Sequence, residues 1–202
     1  MHTQSKYLTL VDTIVPVEPF FKYRLLRDMA LVLSVVVITA IFARITIPLP
    51  FTPVPITGQT FAVLLSGAVL GSRRGASAMA IYLIAGSWLP MYADGASGFV
   101  WGLGSGGYII GFIPAAYVVG FLSEKGWDRK PWIILSMIIG SVLIYIPGLL
   151  QLSLFYPDTN VFVIGLYPFI PGDLIKIGLA SIMLPSSWTI LRLSKGSLNK
   201  WK

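Results

Sequence analysis

The run MALVLSVVVITAIFARITI, Met29 to Ile47, is followed at once by PLPFTPVP, Pro48 to Pro55. The first run is almost wholly apolar and has the length, roughly 20 residues, that crosses a bilayer as a helix. The second carries four prolines, which remove backbone donors and forbid regular helix. Together they read as a spanning helix that ends in an irregular loop at one membrane face. On the other side of the run stand Lys22, Arg24 and Arg27. They read as charge flanking a start-transfer helix, and no cleavable signal peptide is expected ahead of it.

Working outward, five more apolar stretches follow. They run from about Thr57 to Leu70, Gly75 to Tyr92, Tyr108 to Leu122, Trp132 to Leu154, and Pro171 to Leu193. The second span is short for a bilayer crossing, so it is expected to start within the membrane or tilt little. The fold class that results is all-α: a polytopic membrane protein of six transmembrane helices. Its expected parts are an N-terminal extension over 1–28, a membrane domain over 29–193, and a basic tail over 194–202.

Charge placement sets an expected orientation. Thirteen of the 15 basic residues fall in alternate connections and at the two ends. These are Lys6, Lys22, Arg24 and Arg27; Arg73 and Arg74; Lys125, Arg129 and Lys130; and Arg192, Lys195, Lys200 and Lys202. The intervening loops, 48–56, 93–107 and 155–168, contain no Lys or Arg. By the positive-inside rule both termini are expected in the cytoplasm. The same asymmetry favours an even number of spans. Such scattered charge is a poor match to a nucleic-acid footprint, which gathers into one stripe.

Composition agrees. Of 202 residues, 55% are hydrophobic and 11% charged, and mean hydropathy is +0.80. Soluble domains carry about 25% charged residues. There is no cysteine, and the single histidine is His2. Thiolate and histidine chemistry, and most transition-metal sites, are therefore excluded.

Two basic residues, Arg44 and Lys176, and one acid, Asp173, fall inside the expected spans. A charge at membrane depth costs about 2.5–3.5 kcal/mol on insertion scales, so it usually faces a cavity or a partner. Arg44 is placed about one turn from the end of its helix, where it can snorkel outward. Pro171 is suited to open the last helix. Asp173 then sits in its first turn, where the helix dipole favours an anion. Lys176 follows three residues later on the same face. From Lys176 to Arg192 is about 24 Å of helix, which puts the acid and base in the outer part of the bundle. The pair reads either as a local cap with an ion pair, or as the polar point of a small-molecule pocket. Thr52, Thr57, Gln59, Tyr92, Ser105 and Tyr108 on the neighbouring outer segments favour the pocket. Such a site suits a neutral or monoanionic ligand.

Gly102 to Gly107 matches G-x-G-x-x-G, but no strand precedes it, so a nucleotide site is not expected. Residues 71–77 lack the Gly-Lys-Ser/Thr ending of a phosphate loop. The chain is not expected to hydrolyse ATP itself.

Four segments resemble the BioY family in family order. They are Ile47 to Phe61; Leu70 to Gly75; Gly106 to Phe112; and Gly172 to Lys176. BioY proteins are the biotin-binding S components of energy-coupling-factor transporters. The resemblance implies a six-helix bundle that binds biotin near its outer face and has no enzymatic activity or cofactor. It implies that Asp173 and Lys176 contact the ligand, that the loop from Pro50 to Gln59, with Thr52 and Thr57, covers it, and that Gly106, Gly107 and Tyr108 complete the site. Asp173 would accept from a ureido N–H. Lys176 would hold Asp173, or donate to the ureido carbonyl or to the carboxylate tail. The implied partners are two ATPases and a transmembrane coupling subunit, in a prokaryotic cell membrane. The first helix departs from the family pattern. It carries a small-xxx-small spacing, Ala30 and Ser34, in place of two alanines. Other readings are a stand-alone biotin carrier, an S component for another small vitamin, and an intramembrane enzyme. The last would have only Asp173 and Lys176 to work with.

Overall fold

A computed structural model of the protein describes residues 8–15, 21–129 and 131–198. Parts of the expected N-terminal extension and basic tail, including His2, Lys6, Lys200 and Lys202, lie outside the described residues, as does Lys130 in the loop before the fifth span. In the described residues a short helix α1 (Leu10–Ile14) precedes a long helix α2 (Phe21–Phe42). Two short strands, β1 (Thr46–Ile47) and β2 (Ile56–Thr57), follow. Then come α3 (Gln59–Leu70), α4 (Ser72–Gly86), α5 (Gly106–Ser123) and α6 (Ile133–Phe155). A five-residue helix α7 (Val161–Gly165) leads into the last helix, α8 (Ile170–Leu198).

Six helices thus stand where six spans were expected, but their bounds and lengths differ. Among the described residues, four segments are long and apolar enough to cross a membrane: Tyr23–Phe42, Gly106–Ser123, Ile133–Phe155 and Val161–Leu193. Helix α3, with 12 residues, and α4, with 15, are shorter. At 1.5 Å per residue they reach about 18 and 22 Å, less than the hydrocarbon core. Burial accounts for their tolerance of this. Phe61, Val63, Leu64 and Ala68 of α3, with Ala78, Met79 and Tyr82 of α4, belong to the protein core. The long outer helices instead expose their large apolar residues, such as Leu33, Val37 and Ile41 of α2 and Leu174, Ile182 and Ile190 of α8. That is the distribution expected of a bundle solvated by lipid.

The first span is corrected at both ends. It starts at Phe21, ahead of Met29, and stops at Phe42, short of Ile47. The proline-rich loop explains the early stop. It must fold back on itself, and β1 pairs antiparallel with β2, Thr46 opposite Thr57 and Ile47 opposite Ile56. The Gly58 N–H donates to the Ile45 carbonyl at 3.0 Å, continuing the fold-back. Arg44 therefore lies beyond the helix and outside the span that was expected to hold it. The third span likewise ends at Gly86, before Tyr92. The chain reverses there so that the Tyr92 ring covers Gly86; a Cβ at Gly86 would fall 2.2 Å from it.

At the basic end of the bundle an ion network joins distant segments. The Asp12 carboxylate of α1 meets Arg74 of α4 at 2.6 Å and Arg27 of α2 at 2.7 Å. Asp28 meets both arginines at 3.1 Å. Burial alone would raise the Asp12 pKa, but the bonds from Arg74, Thr9 and Arg27 outweigh it and hold the group at about 2, below its usual 3.8. Leu10 and Val11 of α1 are buried beneath this network. The turn from α3 to α4 depends on Gly71, at φ +86°, a backbone state that side chains disfavour. Glu124 accepts from the N–H of Ser72 at 2.8 Å and from its hydroxyl at 2.9 Å. The acid thus stands at a helix N-terminus, where the dipole favours it.

Candidate ligand-binding site

The opposite end holds a cavity of about 300 Å³, lined by the proline-rich loop, the 87–105 segment, the first turns of α3, α5 and α8, and the middle of α6. Its volume lies at the lower end of the range for small-molecule sites. Helix α8 delivers Asp173 and Lys176 to one wall. The two groups lie 3.3 Å apart, with side chains 14% and 16% exposed. Asp173 is in the first turn of α8, as the sequence predicts. The ion pair does not stand alone. Lys176 also donates to the Thr60 hydroxyl of α3 at 2.7 Å. The Tyr145 hydroxyl of α6 donates to the second oxygen of Asp173. Three helices therefore meet in one chain of polar contacts, from Tyr145 through Asp173 and Lys176 to Thr60.

Elsewhere the lining is mostly apolar, for a reason visible in the hydrogen bonds. Tyr82, Tyr92 and Tyr108 spend their hydroxyls on backbone carbonyls. Tyr82 donates to Met91 at 2.6 Å, Tyr92 to Leu83 at 2.7 Å, and Tyr108 to Gly165 at 2.8 Å. What Tyr92 and Tyr108 present to the cavity is chiefly ring. Gln59 is buried, and its amide N–H donates to the Tyr82 hydroxyl at 2.5 Å. Burial raises the pKa of Tyr92, against a smaller opposing effect from the Ser87 hydroxyl. It remains a neutral phenol at physiological pH.

The sequence-predicted residues divide into two groups. Asp173, Lys176, Thr57, Gln59 and Tyr108 line the cavity. Thr52, Gly106 and Gly107 lie outside the lining. The Thr52 hydroxyl donates to the Ile164 carbonyl at 2.5 Å, tying the proline-rich loop to α7. Gly106 and Gly107 act through their missing side chains. A Cβ at Gly106 would sit 1.7 Å from the Val100 carbonyl, and one at Gly107 would sit 2.1 Å from that of Pro147. The pair lets the glycine-rich segment and α6 press against the start of α5. Gln151 of α6 holds the same segment by donating to Val100 at 2.7 Å and Leu103 at 2.8 Å.

Three polar residues of the cavity lining were not singled out in the sequence: Tyr145, Thr60 and Asp94. Asp94 adds a second carboxylate at the loop side. It has φ 55°, a region that Asp tolerates better than most residues, and Thr46 of β1 donates to it. Arg44, expected to snorkel from a span, instead lies exposed in the same layer and donates to the Pro90 carbonyl at 2.5 Å. The signal for Thr60 was adjacency to Thr57 and Gln59. For Tyr145 it was only a polar tip within an apolar run.

The arrangement combines a chamber lined in part by aromatic rings with one carboxylate, one ammonium and nearby hydroxyls at a single wall. It can hold a compact ligand that presents N–H donors and a carbonyl acceptor. Among the described residues no cluster of His, Cys, Asp or Glu could hold a metal ion.

Comparison with known proteins identifies the family. The model of the BioY family matches residues 9–193. "Probable biotin transporter BioY" of Pyrococcus horikoshii is 33% identical over 158 residues, covering 78% of this chain and 93% of that protein. "Biotin transporter BioY" of Thermotoga maritima is 35% identical over 139 residues, 68% of this chain and 82% of its own. The protein of the same name from Rhizobium etli is 35% identical over 167 residues, 73% of this chain and 89% of its own. A crystal structure of the S-component for biotin from an ECF-type ABC transporter superposes with a TM-score of 0.70. It shares 24% identity and is covered to 95%, against 87% of this chain. The shared fold and the near-complete family match lead to one conclusion: this multi-pass membrane protein belongs to the BioY family.

Proposed function

We propose that the protein is the high-affinity biotin-binding subunit of an uptake system in a prokaryotic cell membrane, with its basic end and both termini on the cytoplasmic side. It binds biotin in the chamber beneath the proline-rich loop. It depends on an energising module of two ATPases and a coupling subunit to move the ligand inward, and it catalyses no reaction and carries no cofactor itself. The observation that carries this reading is the Asp173–Lys176 pair, 3.3 Å apart, at the wall of a mostly apolar chamber. Family membership and the names of the relatives support it.

Biotin chemistry matches the wall. Its ureido group offers two N–H donors and one carbonyl, and its sulfur ring and chain are apolar. Asp173 accepts from a ureido N–H. Lys176, held by Thr60, lies within reach of the carbonyl. The ring faces of Tyr108 and Tyr92 flank the apolar part. Binding here needs no protein nucleophile.

The test is uptake of labelled biotin into proteoliposomes. The protein alone is expected to give little transport, and addition of the energising module with ATP to give rapid uptake. Rapid ATP-independent uptake by the protein alone would instead identify a self-sufficient carrier. Denaturing mass spectrometry of the purified protein is expected to release bound biotin. Release of a different small vitamin would redirect the assignment of the ligand.

A further inference from the structure

The contact between Tyr145 and Asp173 carries a further assignment, which rests on Asp173 being a ligand contact. The two residues lie on different helices, α6 and α8, and are 28 positions apart. The Tyr145 hydroxyl donates to one oxygen of the Asp173 carboxylate, while Lys176 approaches the other at 3.3 Å. The carboxylate is therefore gripped from two sides, and its plane is fixed by groups that rotate independently of it. A carboxylate held by one ion pair alone could swing about its own χ angles. With both oxygens engaged, only the remaining lone pairs are free, and their directions are set.

Tyr145 is itself held in place. Its ring meets Tyr108 edge to face, with centroids 6.2 Å apart. Tyr108 in turn is fixed by its bond to the Gly165 carbonyl and by its packing on Phe169. The phenol also lies in the cavity lining. Its position is thus set by α5 and the α7–α8 connection before any ligand arrives.

We infer that Tyr145 is a positioning and specificity-determining residue: its hydroxyl aims the Asp173 carboxylate so that a ligand bearing an N–H donor in one direction is accepted. The ligand class this selects is a planar cyclic urea or amide. A ligand with an acceptor or a methyl group at the same point meets a carboxylate that cannot turn away. The aromatic ring supplies rigidity, and the hydroxyl supplies direction.

Calorimetry with Tyr145→Phe, Asp173→Asn and the double variant tests this in detergent, with biotin and with a biotin methylated at the ureido nitrogens. Tyr145→Phe keeps the ring against Tyr108 and removes only the hydroxyl. It is expected to weaken biotin binding by about tenfold, the order of one charge-assisted hydrogen bond, while leaving the weaker binding of the methylated analogue unchanged. In the Asp173→Asn background the same change is expected to cost no further affinity, since the group it aims is altered. Three results would overturn the assignment. Biotin binding unchanged by Tyr145→Phe while Asp173→Asn weakens it would remove Tyr145 and leave the site standing. Equal losses for biotin and its methylated analogue would mark Tyr145 as structural only. No loss with Asp173→Asn would remove the site itself, and the inference with it.

Discussion

The Lys176 ammonium lies closer to the Thr60 hydroxyl, at 2.7 Å, than to the Asp173 carboxylate, at 3.3 Å. Helix α8 is thereby tied to α3 at the depth of the cavity, across 116 residues of sequence. The lysine is held by two partners, so its charge is positioned before a ligand enters.

Thr60→Val removes the hydroxyl and keeps the shape. Lys176 is then left with Asp173 alone, and the chamber loses its α3 anchor. Thermal melting in detergent is expected to show a loss of about 1–3 kcal/mol. Biotin affinity measured by calorimetry is expected to fall several-fold. Unchanged values of both would show that Lys176 finds an equivalent partner, and would remove the anchoring role given to Thr60.

Gly107→Ala is expected to be severely destabilising. Its Cβ would lie 2.1 Å from the Pro147 carbonyl, a backbone atom that cannot rotate aside. Overpacking of this kind costs about 1–3 kcal/mol or more. Gly104→Ala is the control, because its nearest neighbour would be the Tyr156 ring at 3.7 Å. Melting temperatures of the two variants are expected to separate, with Gly104→Ala close to wild type.

Asp12 gives an acid limb to stability. Its native pKa of about 2 lies below the unfolded 3.8. The stabilisation is therefore complete above about pH 3.8 and lost as pH falls through about 2. Asp12→Asn is expected to lower stability at neutral pH and to flatten the decline across that window. Denaturation followed by tryptophan fluorescence as a function of pH measures both effects. A wild-type curve already flat there would contradict the network.

Asp128 behaves with the opposite sign. Burial raises its pKa, against bonds from Trp188 and the charge of Arg129. The Trp188 indole N–H donates to one oxygen at 2.5 Å, and the other, buried oxygen faces the Arg129 guanidinium at 3.7 Å, beyond hydrogen-bond reach. The ionised form is thus disfavoured in the native state, so stability falls as pH rises from 3.8 through the raised native value. Asp128→Asn keeps an acceptor for Trp188 and is expected to remove that slope, as melts at successive pH values above 3.8 would report.

Much of the fold was legible because lipid imposes a simple rule on sequence. Long apolar runs become helices, and basic residues stay at one end. The run beginning at Trp132 needed a shift of only one residue at each end, and the run beginning at Pro171 started one residue early but continued to Leu198, past the expected Leu193. The rule fails where protein replaces lipid as the surroundings. Helices α3 and α4 could be short because the other helices cover them. Helix α2 stopped at Phe42 because β1 and β2 pair, a contact between segments that no local pattern announces. Asp173 and Lys176 were legible through cost, since a charge at that depth needs a reason. Thr60 and Tyr145 carry no such cost, so neither stood out until the helices were brought together. The glycines at 106 and 107 were conspicuous as a motif, but only the packing shows that they make room for the Val100 and Pro147 carbonyls.

The most direct test of the account is calorimetric titration of biotin into the purified protein and into Asp173→Asn. The account predicts tight binding to the first and at least about tenfold weaker binding to the second, a difference of about 1.4 kcal/mol. Equal affinity in the two proteins would contradict it.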